Sequence, residues 1–107
     1  NYTQWPFGVR AFFCYPSSFA PHVAARWWQA LQEGDAKTAG SLIGQIEDPF
    51  WGIADDVAGG GQAVWRTALE TNGIASRHLR APALSATDEE VEKIGAVLEA
   101  IGLIKSP

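Results

Sequence analysis

The 107-residue sequence contains no methionine and a single cysteine, Cys14. One cysteine cannot form an internal disulfide, so a disulfide-stabilised domain is excluded and we expect a reducing, cytoplasmic setting. No apolar run approaches the roughly 20 residues that a transmembrane helix needs. The eight lysines and arginines are scattered and the net charge is −4. We therefore expect no surface for nucleic acid or for an anionic membrane.

Tryptophan, by contrast, is abundant, with five in the chain, and the apolar content of 47% is enough for a packed core. A domain of this size rarely has enough interior to cover five indole rings. We expect some of them to face a partner or the rest of a larger fold. The chain opens on Asn1 and not on methionine, so we also expect it to be the end of a longer polypeptide, with a processed or trimmed domain as the alternative.

The first third of the chain is predicted to form one β-to-α unit. The run GVRAFFCY is rich in β-forming side chains and ends before Pro16, which predicts a buried strand over Gly8–Tyr15. A helix should begin at Pro21 and stop at Gly34. We find no second convincing strand, so the backbone groups of this one would need partners elsewhere.

The remaining two thirds are predicted to be helical, which gives a mainly α chain of about five helices and one N-terminal strand. Asp35 should cap the second helix, and Thr87 with Glu90 has the spacing of a capping box for the last one. The glycine run at 59–61 is expected to be a flexible connection. The predicted helices after the first cover Ala36–Glu47, a short segment that starts at the Asp48-Pro49 break, Gln62–Thr71, and Thr87 to about Ile101.

No catalytic or metal-binding motif is present. His22 and His78 have no partners at metal-ligand spacing, and Asp55-Asp56 cannot converge on one atom because neighbouring helical residues point about 100° apart. Arg77 and Arg80 could bind an anion, but capping a helix or pairing with Glu90 or Asp88 is the favoured interpretation.

Several short motifs follow one another at characteristic spacings along nearly the whole chain. Gly8 precedes an apolar run, and Phe19-Ala20-Pro21 opens an amphipathic helix that closes in Glu33-Gly34-Asp35. The later motifs are Pro49, Ala68-Leu69 with Gly73, Arg80 with Pro82, Ser85-Ala86-Thr87 and Ile101-Gly102-Leu103. This pattern resembles the end of the dihydrodipicolinate synthase / N-acetylneuraminate lyase family. It is most similar to the branch that includes 5-dehydro-4-deoxyglucarate dehydratase and related hydratase-aldolases.

The resemblance implies a (β/α)8 TIM barrel with an extra C-terminal helical bundle. Residues 1–35 would be its last β/α unit and residues 36–107 its C-terminal helical region. The implied activity is that of a lyase, a dehydratase or class I aldolase, that forms a Schiff base between a barrel-strand lysine and a 2-keto acid without a cofactor. The lysine would lie upstream, so this chain would hold no catalytic residue. The implied partners are the 2-keto acid, the remainder of the barrel and further copies in a homo-oligomer.

Strand eight of such a barrel lines the pocket at its catalytic face, so the resemblance makes Phe12, Phe13 and Cys14 the substrate-binding residues. A small buried side chain without a binding role is the alternative for Cys14. Family members often have a Gly/Ser-rich strand here and an asparagine at the position of Ser18. Two phenylalanines suggest a pocket that is more apolar or narrower than a sugar acid needs. An aromatic-pyruvate hydratase-aldolase is therefore an alternative activity within this branch. Trp65-Arg66 stands near the position at which many family members carry a lysine.

A second hypothesis needs no enzyme. The chain could be a small helical interaction module that docks a partner through a tryptophan-rich face. Trp27 is expected in the core, and Trp28 is expected to face a neighbouring helix or another chain.

Overall fold

The computed structural model describes residues 5–11 and 15–103. In this part of the chain the architecture is helical, and short turns connect most of the helices. Two 3₁₀ turns come first, at Trp5–Phe7 and Tyr15–Ser18. The α-helices are α1 (Pro21–Glu33), α2 (Ala36–Leu42), α3 (Asp48–Ala54), α4 (Gly60–Thr71) and α5 (Asp88–Ala100), with a π turn over Ile43–Glu47 between α2 and α3.

The strand predicted over Gly8–Tyr15 is not seen in the described part of that segment. Gly8, at φ +98°, closes a turn in which its N–H donates to the Trp5 carbonyl oxygen at 3.1 Å. Residues 9–11 are irregular, and Tyr15 already belongs to the second 3₁₀ turn. A strand needs a neighbour for its backbone groups, and no segment within residues 5–11 and 15–103 is a strand. Residues 12–14 lie outside the described part.

Both ends of α1 follow the sequence prediction. Pro21 occupies the first turn, and the chain leaves the helix through Gly34 at φ +70°, where an L side chain would be strained. Asp35 then caps α2: its carboxylate accepts hydrogen bonds from the Thr38 hydroxyl at 2.6 Å and the Thr38 N–H at 3.1 Å. These bonds stabilise the charged form and lower the pKa of Asp35. The buried face of α1 carries Val23, Trp27, Ala30 and Leu31.

The predicted break at Asp48-Pro49 is not a break. The backbone stays helical through Asp48, and the π turn immediately before it leads into α3. A proline cannot donate the helical hydrogen bond and its ring presses on the preceding turn, so the wider π turn accommodates it. Because the chain stays helical here, Phe50 lies in the core. Its side chain is fully buried and stacks on the Phe19 ring at a centroid distance of 6.0 Å.

The glycine run is a site of close packing and not a flexible connection. A Cβ at Gly59 would lie 2.1 Å from the Leu84 carbonyl oxygen, and one at Gly61 would lie 2.4 Å from the Trp51 ring. Helix α4 begins at Gly60, two residues before the predicted start. The glycines thus let α4 approach both α3 and the segment that precedes α5.

The predicted capping box is confirmed at the start of α5. The Thr87 hydroxyl accepts from the Glu90 N–H at 3.2 Å, and the Glu90 carboxylate accepts from the Thr87 N–H at 3.0 Å. The second carboxylate oxygen of Glu90 accepts from the Ala58 N–H at 3.0 Å. The hydrogen bond from the Thr87 N–H, followed in size by the one from the Ala58 N–H, lowers the pKa of Glu90. One carboxylate therefore joins α5 to the connection between α3 and α4.

The helices share one hydrophobic core, in which α1 packs on α2, α3 packs on α4 and α5, and α4 packs on α5. Ile94 and Leu98 of α5 are fully buried in it. The N-terminal turn packs against the core through Trp5, whose ring lies edge-to-face on the Trp28 ring at a centroid distance of 5.6 Å. No helix of the described residues is both long and apolar enough to cross a bilayer. The division of the chain after residue 35 stays a prediction.

Candidate functional site

The predicted substrate-binding residues Phe12, Phe13 and Cys14 lie outside the described residues. The structure does describe the turn that follows them, Tyr15–Ser18, and it places that turn directly before α1.

Helix α4 contacts the turn Tyr15–Ser18 through Trp65. The indole Nε1–H of Trp65 donates to the Ser18 hydroxyl oxygen at 3.0 Å, across 47 positions of sequence. The Trp65 side chain is 37% exposed, so part of its ring faces the surface. Sequence analysis singled out both Ser18 and the Trp65-Arg66 pair, and the structure brings Ser18 and Trp65 together.

A cavity of about 270 Å³ opens beside Trp65 on the surface of α4. Arg66 lines it, and the Nη2 of Arg66 donates to the His78 carbonyl oxygen, in the segment after α4, at 3.4 Å. The Nε atom of Arg66 is buried and has no hydrogen-bond partner among the residues that the structure describes. The lining residues are Gln62, Trp65, Arg66, Leu69 and Leu79. Besides Trp65, whose indole N–H donates to Ser18, Gln62 and Arg66 carry N–H donors, and none of these five lining residues is acidic.

A second polar cleft, of about 400 Å³, lies around Arg77. The Arg77 guanidinium pairs with the Glu70 carboxylate at 3.0 Å and with the Asp88 carboxylate at the start of α5. These hydrogen bonds, the one with Glu70 first, raise the pKa of Arg77. The prediction that Arg77 pairs with an acidic residue is therefore confirmed for Asp88. Arg80 is exposed. Arg77 joins α4 to α5 through these two ion pairs. Because the two carboxylates already neutralise the charge of Arg77, this arginine offers little to an anion.

The other candidate groups do not assemble into a site. His22 and the Asp55-Asp56 pair are exposed, as the sequence predicts. Burial, followed by repulsion from Asp48, raises the pKa of Glu47 in the π turn. Over residues 5–11 and 15–103, no three His, Cys, Asp or Glu side chains come close enough to hold a metal ion.

Sequence analysis missed the pairing of Ser18 with Trp65 and the spare hydrogen-bonding capacity of Arg66. The sequence offered a signal only through the resemblance, in which Ser18 and Trp65-Arg66 stand where other residues are expected. Contacts between residues so distant in sequence depend on how helices pack, and periodicity within one helix carries no information about that.

This mainly helical architecture is consistent with the C-terminal helical part of a TIM-barrel protein. The chain is similar to two curated proteins, each named probable 5-dehydro-4-deoxyglucarate dehydratase. The protein from Rhizobium meliloti is 27% identical over 93 residues, which are 87% of this chain and 31% of that protein. The protein from Allorhizobium ampelinum is 24% identical over 82 residues, which are 77% of this chain and 27% of that protein.

The predicted resemblance to this branch of dehydratases is confirmed by both similarities. The chain spans about a third of the length of the curated relatives that it matches. No family model and no solved structure matches it.

Proposed function

We propose that this chain forms the last β/α unit and the C-terminal helices of a lyase that acts on a 2-keto acid through a lysine Schiff base. The observation that carries the proposal is the similarity to two dehydratases over most of the chain, combined with coverage of only about a third of each relative. The helical fold supports the same assignment. In this proposal the chain supplies one wall of the pocket and the helical cap beside it.

The imine lysine would lie upstream of the chain. A lysine acts as a nucleophile near neutral pH when burial or a nearby cation lowers its pKa. Lys37 and Lys93 are both exposed on the surfaces of α2 and α5. Neither has the surroundings that a Schiff-base lysine needs. The proposal includes no cofactor, because the protonated imine itself draws electrons from the carbon next to it.

Within the pocket, Phe12, Phe13 and Cys14 would contact the substrate from the last barrel strand. The turn Tyr15–Ser18 would then lie at the catalytic face, where barrel enzymes place their sites, and the Ser18 bond would hold Trp65 at its rim. The proposal also includes a cytoplasmic setting, supported by the single cysteine, and a homo-oligomer.

Borohydride trapping tests the mechanism. The lysine Nζ attacks the keto carbon of pyruvate, water leaves, and hydride from borohydride reduces the imine to a stable secondary amine that mass spectrometry detects. We expect one adduct per chain in the longer polypeptide and none on these 107 residues alone. A stoichiometric adduct on the 107-residue chain would show that the lysine is not upstream. The absence of an adduct on the longer polypeptide would overturn the Schiff-base mechanism.

The non-enzymatic module stays a second candidate because three indoles are partly exposed. Trp28, Trp51 and Trp65 are 36%, 41% and 37% exposed, respectively. Size-exclusion chromatography and circular dichroism of the 107-residue chain discriminate between the candidates. Cooperative unfolding of a stable monomer favours the module, whereas aggregation or a molten state favours the wall of a larger barrel.

A further inference from the structure

One face of α4 carries a row of apolar groups. Positions 61, 65 and 69 lie four residues apart and therefore share this face. The Trp51 ring of α3 covers Gly61, where an added Cβ would lie 2.4 Å from the ring. Trp65 follows one turn later, and Leu69 and Leu79 line the same cavity as Trp65. We call Trp51, Gly61, Trp65, Leu69 and Leu79 the α4 strip.

The α4 strip is apolar and partly exposed. The side chains of Trp51 and Trp65 are 41% and 37% exposed, and Leu69 and Leu79 are half-buried. The polar atom of the Trp65 ring, Nε1, donates to the Ser18 hydroxyl oxygen at 3.0 Å, so carbon atoms make up the rest of the ring surface. Contiguous exposed apolar groups mark an interaction surface, and indole rings contribute much of the energy of such contacts. The α4 strip therefore suits an apolar partner surface.

The outer face of α5 has the opposite character. Glu89, Glu92, Lys93 and Ala96 are exposed on it, and the connection between α3 and α4 exposes Asp55-Asp56. Burying such charges against an apolar surface is costly, because the protein would not replace the water that they lose. These charged faces are suited to solvent, whereas the α4 strip is suited to burial.

The polypeptide upstream of Asn1 is the partner that lies within reach of the α4 strip. The chain spans about a third of the length of its curated relatives, so under the proposed function about two thirds of the polypeptide precedes it. Asn1 comes 17 positions before Ser18, which is bonded to Trp65 of the strip. A tethered partner has a high effective concentration, which a second copy in solution lacks.

We propose that the α4 strip packs against apolar side chains of the upstream part of the same polypeptide. The proposal rests on the proposed function, in which that upstream part is the remainder of the barrel. Trp51 and Trp65 are then buried between the barrel and the C-terminal helices, while the outer face of α5 stays in water. The two tryptophans belong to an intramolecular interface and not to a docking face for another protein.

Photo-cross-linking in the longer polypeptide tests this contact. The photoreactive amino acid p-benzoylphenylalanine replaces Trp51 in one variant and Trp65 in another, so an aromatic ring remains at each position. It replaces Ala96, on the outer face of α5, in the control variant. After irradiation and digestion, mass spectrometry should find the peptides of positions 51 and 65 joined to peptides from upstream of Asn1. The peptide of position 96 should form no such cross-link.

Isotope labelling identifies the source of the cross-linked peptide. ¹⁴N- and ¹⁵N-labelled polypeptides are refolded together in equal amounts before irradiation. In an intramolecular contact both joined peptides carry the same isotope. Pairs of mixed isotope would assign the α4 strip to a second copy and overturn the proposal. It is also overturned if neither position 51 nor position 65 joins an upstream peptide, or if position 96 does so equally.

A charge placed on the strip provides a second measurement. Because an unpaired charge resists burial, Trp51→Glu should raise the rate of limited proteolysis upstream of Asn1 about tenfold or more. Ala96→Glu, the same charge on the solvated face, should leave that rate unchanged. Equal rates in the two variants contradict the proposal. If Trp51→Glu fails to fold, the cross-links decide, since those variants keep an aromatic ring.

The two proposals fail in different ways. The borohydride adduct depends on an upstream lysine and not on the α4 strip. Absence of the adduct therefore overturns the proposed function, whereas absence of the upstream cross-links overturns the assignment of the strip.

Discussion

Replacing Gly59 by alanine should destabilise the chain by about 2–3 kcal/mol, toward the upper end of what overpacking costs. The new Cβ would lie 2.1 Å from the Leu84 carbonyl oxygen, 3.1 Å from the Leu84 carbonyl carbon and 2.6 Å from the Ala63 Cβ. An ordinary contact is more than 3 Å, so one of the two backbone segments has to move by roughly 1 Å. No rotamer change relieves the clash, because the closest obstacle is a backbone carbonyl.

Gly95→Ala is the matched control. Gly95 lies within α5, and a Cβ there would meet nothing within 4 Å. Glycine in a helix interior costs about 1 kcal/mol relative to alanine, so this variant should be more stable than the wild type. The same chemical change is therefore expected to have opposite signs at the two positions.

Thermal and urea unfolding of the longer polypeptide, followed by circular dichroism, measure the effect. The two variants should differ by about 3–4 kcal/mol, which corresponds to a difference in Tm of roughly 6 °C or more for a larger domain. If Gly59→Ala is as stable as the wild type while Gly95→Ala behaves as expected, the close approach of Leu84 is not part of the native structure. The glycine run at 59–61 would then be the flexible connection that the sequence predicts.

Three further predictions concern other contacts. Accepting backbone hydrogen bonds lowers the pKa of Glu90 from its ordinary 4.5, so its stabilising contribution is complete above that pH and is lost as the pH falls through the lower folded-state pKa. Acid unfolding should thus be less steep in Glu90→Gln, but not in Glu92→Gln on the exposed face of the same helix. A double-mutant cycle of Ser18→Ala and Trp65→Phe should give a coupling energy of about 1 kcal/mol by urea unfolding, and a value near zero would contradict the bond between the turn and α4. Phe50→Ala should cost about 3–5 kcal/mol in the same assay, because the ring is fully buried, and a cost below about 1 kcal/mol would place Phe50 outside the core.

Local signals predicted the helices and their ends well. Pro21 at the start of α1, Gly34 at its end and the capping box of α5 all act through residues a few positions apart, so composition and spacing are enough to specify them. The buried stripe of α1 follows for the same reason, since Val23 and Leu31 repeat at the helical period.

The errors occurred where a distant residue decides the outcome. Asp48-Pro49 carries the local signal of a break, but burial of Phe50 and a preceding π turn keep the chain helical. The glycine run carries the local signal of flexibility, but Trp51 and Leu84 pack against it. Local propensity competes with tertiary packing at these positions, and packing is the stronger term.

The sequence by itself determined that the chain is mainly helical, where most of its helices end, and which family it resembles, because these depend on patterns within short segments. Only the tertiary structure decided that Ser18 meets Trp65, that Arg77 is neutralised by Glu70 and Asp88, and that Arg66 lines a cavity without a carboxylate partner among the described residues. Those facts depend on the relative positions of helices, which are set by how the side chains of the whole core fit together.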